Sequence, residues 1–120
     1  MRRNPHREEC LIKMKIYLAI PYTGMENVSF IKANRVAAKL IKQGNIVYSA
    51  ISMSHPIAIQ NDLPEGWSFW KNQDYALVCE FVRWSDEVHI VEMNGLWEKS
   101  EGVLAEIKLA KKYNKPIKFI

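Results

Sequence analysis

The chain has 120 residues, 48% of them apolar, which suits one compact domain with a real core and leaves little room for a second. Seventeen Lys and Arg against 13 Asp and Glu give a formal charge of +4. That balance is too mild and too scattered for a nucleic-acid patch, but it favours a small anionic ligand. No run approaches the roughly 20 apolar residues that span a bilayer, so no membrane segment is expected.

Residues 1–13, MRRNPHREECLIK, are polar, lack a sustained apolar stretch and carry Glu8 and Glu9; they read as a loose leader, neither a secretory nor a transit signal. Cys10 and Cys79 form no CxxC and no His/Cys cluster. They are expected to be free thiols in a reducing cytoplasm, with no zinc site and no other metal.

KIYLAI (15–20) is a short apolar run ended by proline and reads as a buried strand. PYTGMEN (21–27) follows as a loop. The next segment, running to Gly44, places Ala33, Val36, Ala37, Leu40 and Ile41 on one helical face, and Gly44 stops it. IVYSAI (46–51) reads as a second strand. SMSHPIAIQNDLPEG (52–66), with two prolines, reads as a long loop, in which a fifth strand could hide. WSFWKNQDYALVCEFVRW (67–84) is a second helix with Trp67, Trp70, Leu77, Phe81 and Trp84 at three- and four-residue spacings. Asp74 falls on that same stripe, where a carboxylate is costly unless it is paired or useful. EVHIVE (87–92) is a strand, MNGLWEKS a loop, and Glu101 to Tyr113 a third helix with Val103, Ile107 and Ala110 inward and Glu106 at the border. Asn114 and Pro116 end that helix before a last strand, PIKFI.

The order β-α-β-α-β-α-β predicts an α/β fold: a single Rossmann/flavodoxin-like domain over 14–120, with a parallel sheet of four to five strands flanked by helices. Ligands of such sheets sit beyond the carboxyl ends of the strands. SEGVLAE (100–106) therefore starts at the mouth of the expected site. Ser100 is a natural N-cap, Gly102 keeps the first turn bare, and free N–H groups at a helix start favour an anion. Glu106, under two turns further in, could attack an electrophilic carbon, with Asp74 as its partner in acid–base work. The plainer alternative is a capped helix with a surface glutamate and a core aspartate bonded to backbone.

Several segments together resemble the nucleoside 2-deoxyribosyltransferase-like superfamily, which includes the transferases, the 2'-deoxynucleoside 5'-phosphate N-hydrolases and small, often phage-encoded relatives. KIYLAIPY resembles the first strand with its tyrosine, here Tyr17; NQDYAL resembles the central helix motif with its aspartate, here Asp74; SEGVLAE resembles the S-x-G-V-x-x-E motif with its nucleophile, here Glu106; NKPI resembles the entry to the final strand. The resemblance implies that Glu106 attacks C1' of a 2'-deoxyribosyl group. Asp74 would protonate or hold the base, or orient Glu106, and Tyr17 would hydrogen-bond the nucleophile. It implies no cofactor and no metal. Transferases carry aspartate at the position of Ser100, whereas the nucleotide hydrolases carry serine, so Ser100 leans towards a nucleotide substrate. A transferase and a non-catalytic nucleotide-binding module remain the alternatives. PYTG stands where better-known members have a glycine-serine turn with an arginine, with Arg35 and Lys99 as candidate substitutes.

Tyr22 is a candidate pocket residue, His55 a candidate contact or acid, and Trp97 a candidate stacking surface. Asn94 is a candidate contact that also shapes a turn with Gly95, and His89 is read as structural. Trp67, Trp70 and Trp84 exceed what one helix of so small a domain usually buries, which predicts a homodimer or higher homo-oligomer with part of that surface in the interface.

Overall fold

In the computed structural model, residues 13–64 and 66–120 are described. Of the expected leader only Lys13 falls among them, its N–H donating to Gly44 O at 3.2 Å; the rest of that reading, Cys10 included, lies outside the described residues.

The elements run β1 (Lys15–Ala19), α1 (Glu26–Lys42), β2 (Ile46–Ser49), α2 (Ala50–Gln60), α3 (Trp67–Trp84), β3 (Glu87–Ile90), a 3-10 turn (Leu96–Lys99), α4 (Glu101–Lys112) and β4 (Ile117–Phe119). The strands form one parallel sheet in the order β2-β1-β3-β4. A parallel sheet covered on both faces needs continuous apolar strands, and β1 supplies one. Tyr17 and Ala19 join Val88, Ile90, Val78, Val82 and Val103 in one core layer. Leu18 and Ile20, pointing the other way, join Ala33 and Val91 in the second. The α/β architecture read from the alternation is the one observed, with four strands among the described residues.

α1 ends as expected: Gln43 caps it and Gly44 follows at φ +99°, a left-handed conformation that glycine adopts without a Cβ penalty. Ile41, expected on the inner face, is exposed. It lies eight residues after buried Ala33, about 80° round the helix at 3.6 residues per turn, and so leaves the stripe in the last turn.

The segment from 52 onward is a correction. It was expected as a loop, but α2 occupies Ala50–Gln60 with Pro56 inside it. The second strand accordingly stops at Ser49, two residues short of the expected Ile51. Pro56 removes one helical N–H and normally breaks the ladder. Here tertiary burial outweighs that local cost: Ser54, His55 and Ala58 all turn inward and are buried.

The three tryptophans of α3 are placed differently from one another. Trp70 is buried within the chain, its Nε1 donating to Pro64 O at 2.6 Å. Trp84 is half-buried with Lys15 Nζ 5.7 Å over its ring. Trp67 lines a cavity. No helix among the described residues is long and apolar enough to cross a membrane.

Candidate active site

A pocket opens where the end of β1, the start of α2, the middle of α3 and the first turns of α4 converge. Its empty space is about 600 Å³, counting the part open to solvent. Glu106 and Asp74 both reach its wall, from α4 and α3 respectively.

Glu106 was expected at the border of the apolar face and is buried, 9% exposed. Its Oε2 accepts the hydroxyl hydrogen of Tyr17, which is fully buried on β1. Burial pushes the Glu106 carboxyl up to about 8; the Tyr17 hydroxyl pulls it back and the Asp74 charge adds to the rise. Burial, then the Glu106 charge, holds the Tyr17 phenol well above its ordinary value, so it stays a donor. Asp74, half-buried, is also raised by loss of water. Glu106 thus keeps its proton to a higher pH than an exposed glutamate would, and Asp74 is shifted in the same direction.

The start of α4 follows the sequence reading. Ser100 Oγ accepts from Val103 N–H at 3.2 Å, the N-cap geometry. Gly102 lines the pocket beneath Trp67. A Cβ added there would lie 3.8 Å from Trp67 Cε3, an ordinary contact, so an alanine would fit without a clash.

Tyr22 lines the pocket from the loop after β1, and its hydroxyl is 2.6 Å from His55 Nδ1. His55 is neither in a loop nor exposed: it is 4% exposed within α2, with Nε2 3.0 Å from Asn27 Oδ1. It stands behind Tyr22 and does not line the pocket.

Two candidates are placed elsewhere. The Trp97 ring packs on Phe119 at 4.7 Å and against the core. Asn94 is exposed at φ +56° in a turn with Met93 and Gly95, also at positive φ. Neither borders the pocket. His89 is buried and pairs with Glu87 at 2.9 Å, in keeping with a structural role. Lys99 borders an outer cavity beside Tyr22, Thr23 and Ser100, whereas Arg35 borders none of these cavities.

Sequence reasoning missed Trp67, Trp70, Ser54 and Thr23 as pocket residues. For the tryptophans the signal was present: residues 67, 70 and 74 are one stripe, so a stripe that carries an aspartate was already a site wall. Ser54 was hidden by reading its helix as a loop. Tyr48 was also missed; it faces Tyr17 in register on β2 and stacks on Phe81 at 3.8 Å. Its phenol is raised by burial first and then by the charges of Asp74 and Glu106. Among the described residues no three His, Cys, Asp or Glu gather as a metal-holding group.

Fold and site together define a small parallel α/β domain with a buried tyrosine–glutamate pair and a second carboxylate at the carboxyl ends of its strands. Residues 14–120 match DUF1937, a domain of unknown function, and the chain belongs to that family. No match was found among curated proteins.

Proposed function

We propose that the protein cleaves the N-glycosidic bond of 2'-deoxynucleoside 5'-monophosphates, or of the nucleosides, through a glycosyl-enzyme intermediate on Glu106. The observation that carries this reading is that Glu106, buried and bonded to Tyr17, shares one pocket wall with Asp74 from a different helix. Burying a carboxyl near a second, half-buried one is costly, and groups perturbed in this way cluster at functional sites.

The ionised Glu106 oxygen attacks C1', the C1'–N bond breaks, and its electron pair leaves with the base. With Glu106 held at about 8, the resting site carries a proton at neutral pH; its transfer from Glu106 to Asp74 leaves Glu106 ionised for attack and lets Asp74 deliver the proton to the departing base. The Tyr17 hydroxyl orients Glu106 and stabilises its charge. Asp74, now ionised, takes a proton from a water that attacks C1'; the C1'–O bond to Glu106 breaks, the sugar leaves, and both carboxyls return to their starting states. Ser100 and the free N–H groups at the start of α4 receive the 5'-phosphate, with Lys99 near the mouth. The mechanism needs neither metal nor cofactor. The protein acts in the cytoplasm as a homodimer or higher homo-oligomer.

The test is a chromatographic screen for free base with the four deoxynucleotides, their nucleosides and matching ribonucleotides. Base release from deoxynucleotides is expected, falling by roughly a thousandfold or more in Glu106→Ala. Release only when a second base is added would assign a transferase instead. Nucleotide binding without release from any substrate would reduce the site to a binding module.

A further inference from the structure

The Tyr22–His55–Asn27 chain connects three separate elements. Tyr22 belongs to the loop after β1, Asn27 to the first turn of α1, and His55 to the middle of α2. Phe30, one turn after Asn27, lies against the imidazole with ring centroids 4.5 Å apart and planes 30° apart. Tyr22 meets the same imidazole edge-on, at 5.6 Å and 82°. The hydrogen-bond partners fix the tautomer. Asn27 Oδ1 only accepts, so Nε2 carries the hydrogen of the neutral ring. Nδ1 then offers a lone pair and accepts the Tyr22 hydroxyl hydrogen.

A buried histidine bonded at both nitrogens, with an aromatic ring against it, is held in one orientation. It holds in turn Tyr22, the one tyrosine among the described residues that lines the pocket. His55 precedes Pro56 in a helix that runs unbroken from Ala50 to Gln60 although proline supplies no backbone N–H there.

We infer that His55 is a positioning residue: it acts on the ligand through Tyr22, fixing that ring as a wall of the pocket and tying the loop after β1 to α2. This rests on the glycosidase reading for the identity of the ligand, but not for the coupling itself. Binding of the 2'-deoxynucleoside 5'-monophosphate then depends on His55, while bond cleavage at Glu106 does not.

Two substitutions separate the two ring nitrogens. In His55→Asn the side-chain oxygen falls near the place of Nδ1 and can still accept from Tyr22. In His55→Gln the amide falls near the place of Nε2, keeping Asn27 and losing Tyr22. The expected result is that His55→Gln and Tyr22→Phe each raise KM for the deoxynucleotides about tenfold, with kcat within about threefold of wild type. His55→Asn should recover most of the KM. The double variant Tyr22→Phe/His55→Gln should be no worse than the worse single change, because the two losses share the Tyr22–His55 hydrogen bond. Hydrogen exchange of the ligand-free protein should show residues 21–27 losing protection in His55→Gln and Tyr22→Phe, but not in His55→Asn.

A fall in kcat at unchanged KM would overturn the inference, because His55 would then reach the reacting atoms. Equal loss in the Asn and Gln variants would overturn it as a packing effect alone. If the wild type neither binds nor cleaves any of the deoxynucleotides, the glycosidase reading fails. The exchange measurement then decides the coupling: unchanged protection at 21–27 in both His55→Gln and Tyr22→Phe overturns it.

Discussion

Glu106 stands where ionisation is most expensive, inside the chain with one hydroxyl donor for company. Its carboxyl is raised to about 8 from an ordinary value of 4.5, chiefly by burial. The folded state therefore holds a proton that the unfolded chain releases between those two values. Its contribution to stability is fully present below about pH 4.5 and is lost as the pH climbs to about 8. Glutamine has nearly the same shape, accepts from Tyr17 through its amide oxygen and does not titrate. Glu106→Gln should therefore match the wild type in stability at pH 4 and exceed it at pH 8, by an amount on the order of a few kcal/mol. Thermal unfolding of both proteins across that range checks this. Parallel curves would show that Glu106 is not desolvated in the folded protein. The destabilising group would be retained for its chemistry, as expected of a carboxylate tuned for a reaction.

At the scale of elements, α4 combines a cap and a site in the same residue. Ser100 accepts from Val103 N–H and also lines the pocket. Replacing it by alanine should cost about 1 kcal/mol through the lost cap. Aspartate caps as well as serine but brings a negative charge to the place assigned to the phosphate. Ser100→Asp should keep the melting temperature and lose activity on deoxynucleotides by tenfold or more, while deoxynucleosides are spared. Equal loss on both substrates would remove the phosphate from that end of the pocket. α4 was legible in the sequence because its cap, apolar spacing and terminator agree with one another, and α3 for the same periodic reason. α2 was not, because a proline and a run of small polar residues mimic a loop. What makes it a helix is burial of Ser54, His55 and Ala58 by partners far away in sequence. The Tyr22–His55 bond was illegible for the same reason: each residue could be noticed singly, but their meeting depends on the unseen helix. The Tyr17–Glu106 pairing was anticipated only through the family resemblance, since no local spacing joins β1 to α4.

On the scale of the whole molecule, Trp67 links two surfaces. It lines the pocket that holds Glu106, and it also lines an open groove between α3 and α4 with Tyr75, Leu104, Lys71 and Lys108. Phe69, Tyr75 and Leu104 are all about half exposed on these helices, which a monomer would leave to water. Of the tryptophans expected at an interface, Trp70 is buried within the chain and Trp67 lines this groove, which makes the groove the candidate interface. A stable dimer buries roughly 1,200–2,000 Å² in total, and large apolar side chains at its centre supply most of the affinity. Sedimentation at micromolar concentration should show a dimer. Leu104→Lys, which places a charge at the centre of the groove, should shift it to a monomer while leaving the fold intact by circular dichroism. Because Trp67 forms part of both walls, the monomeric variant should also bind deoxynucleotides several-fold more weakly than the dimer. A wild type that sediments as a monomer would end the proposal. A monomeric variant with full affinity would separate the groove from the site and leave Trp67 serving each independently.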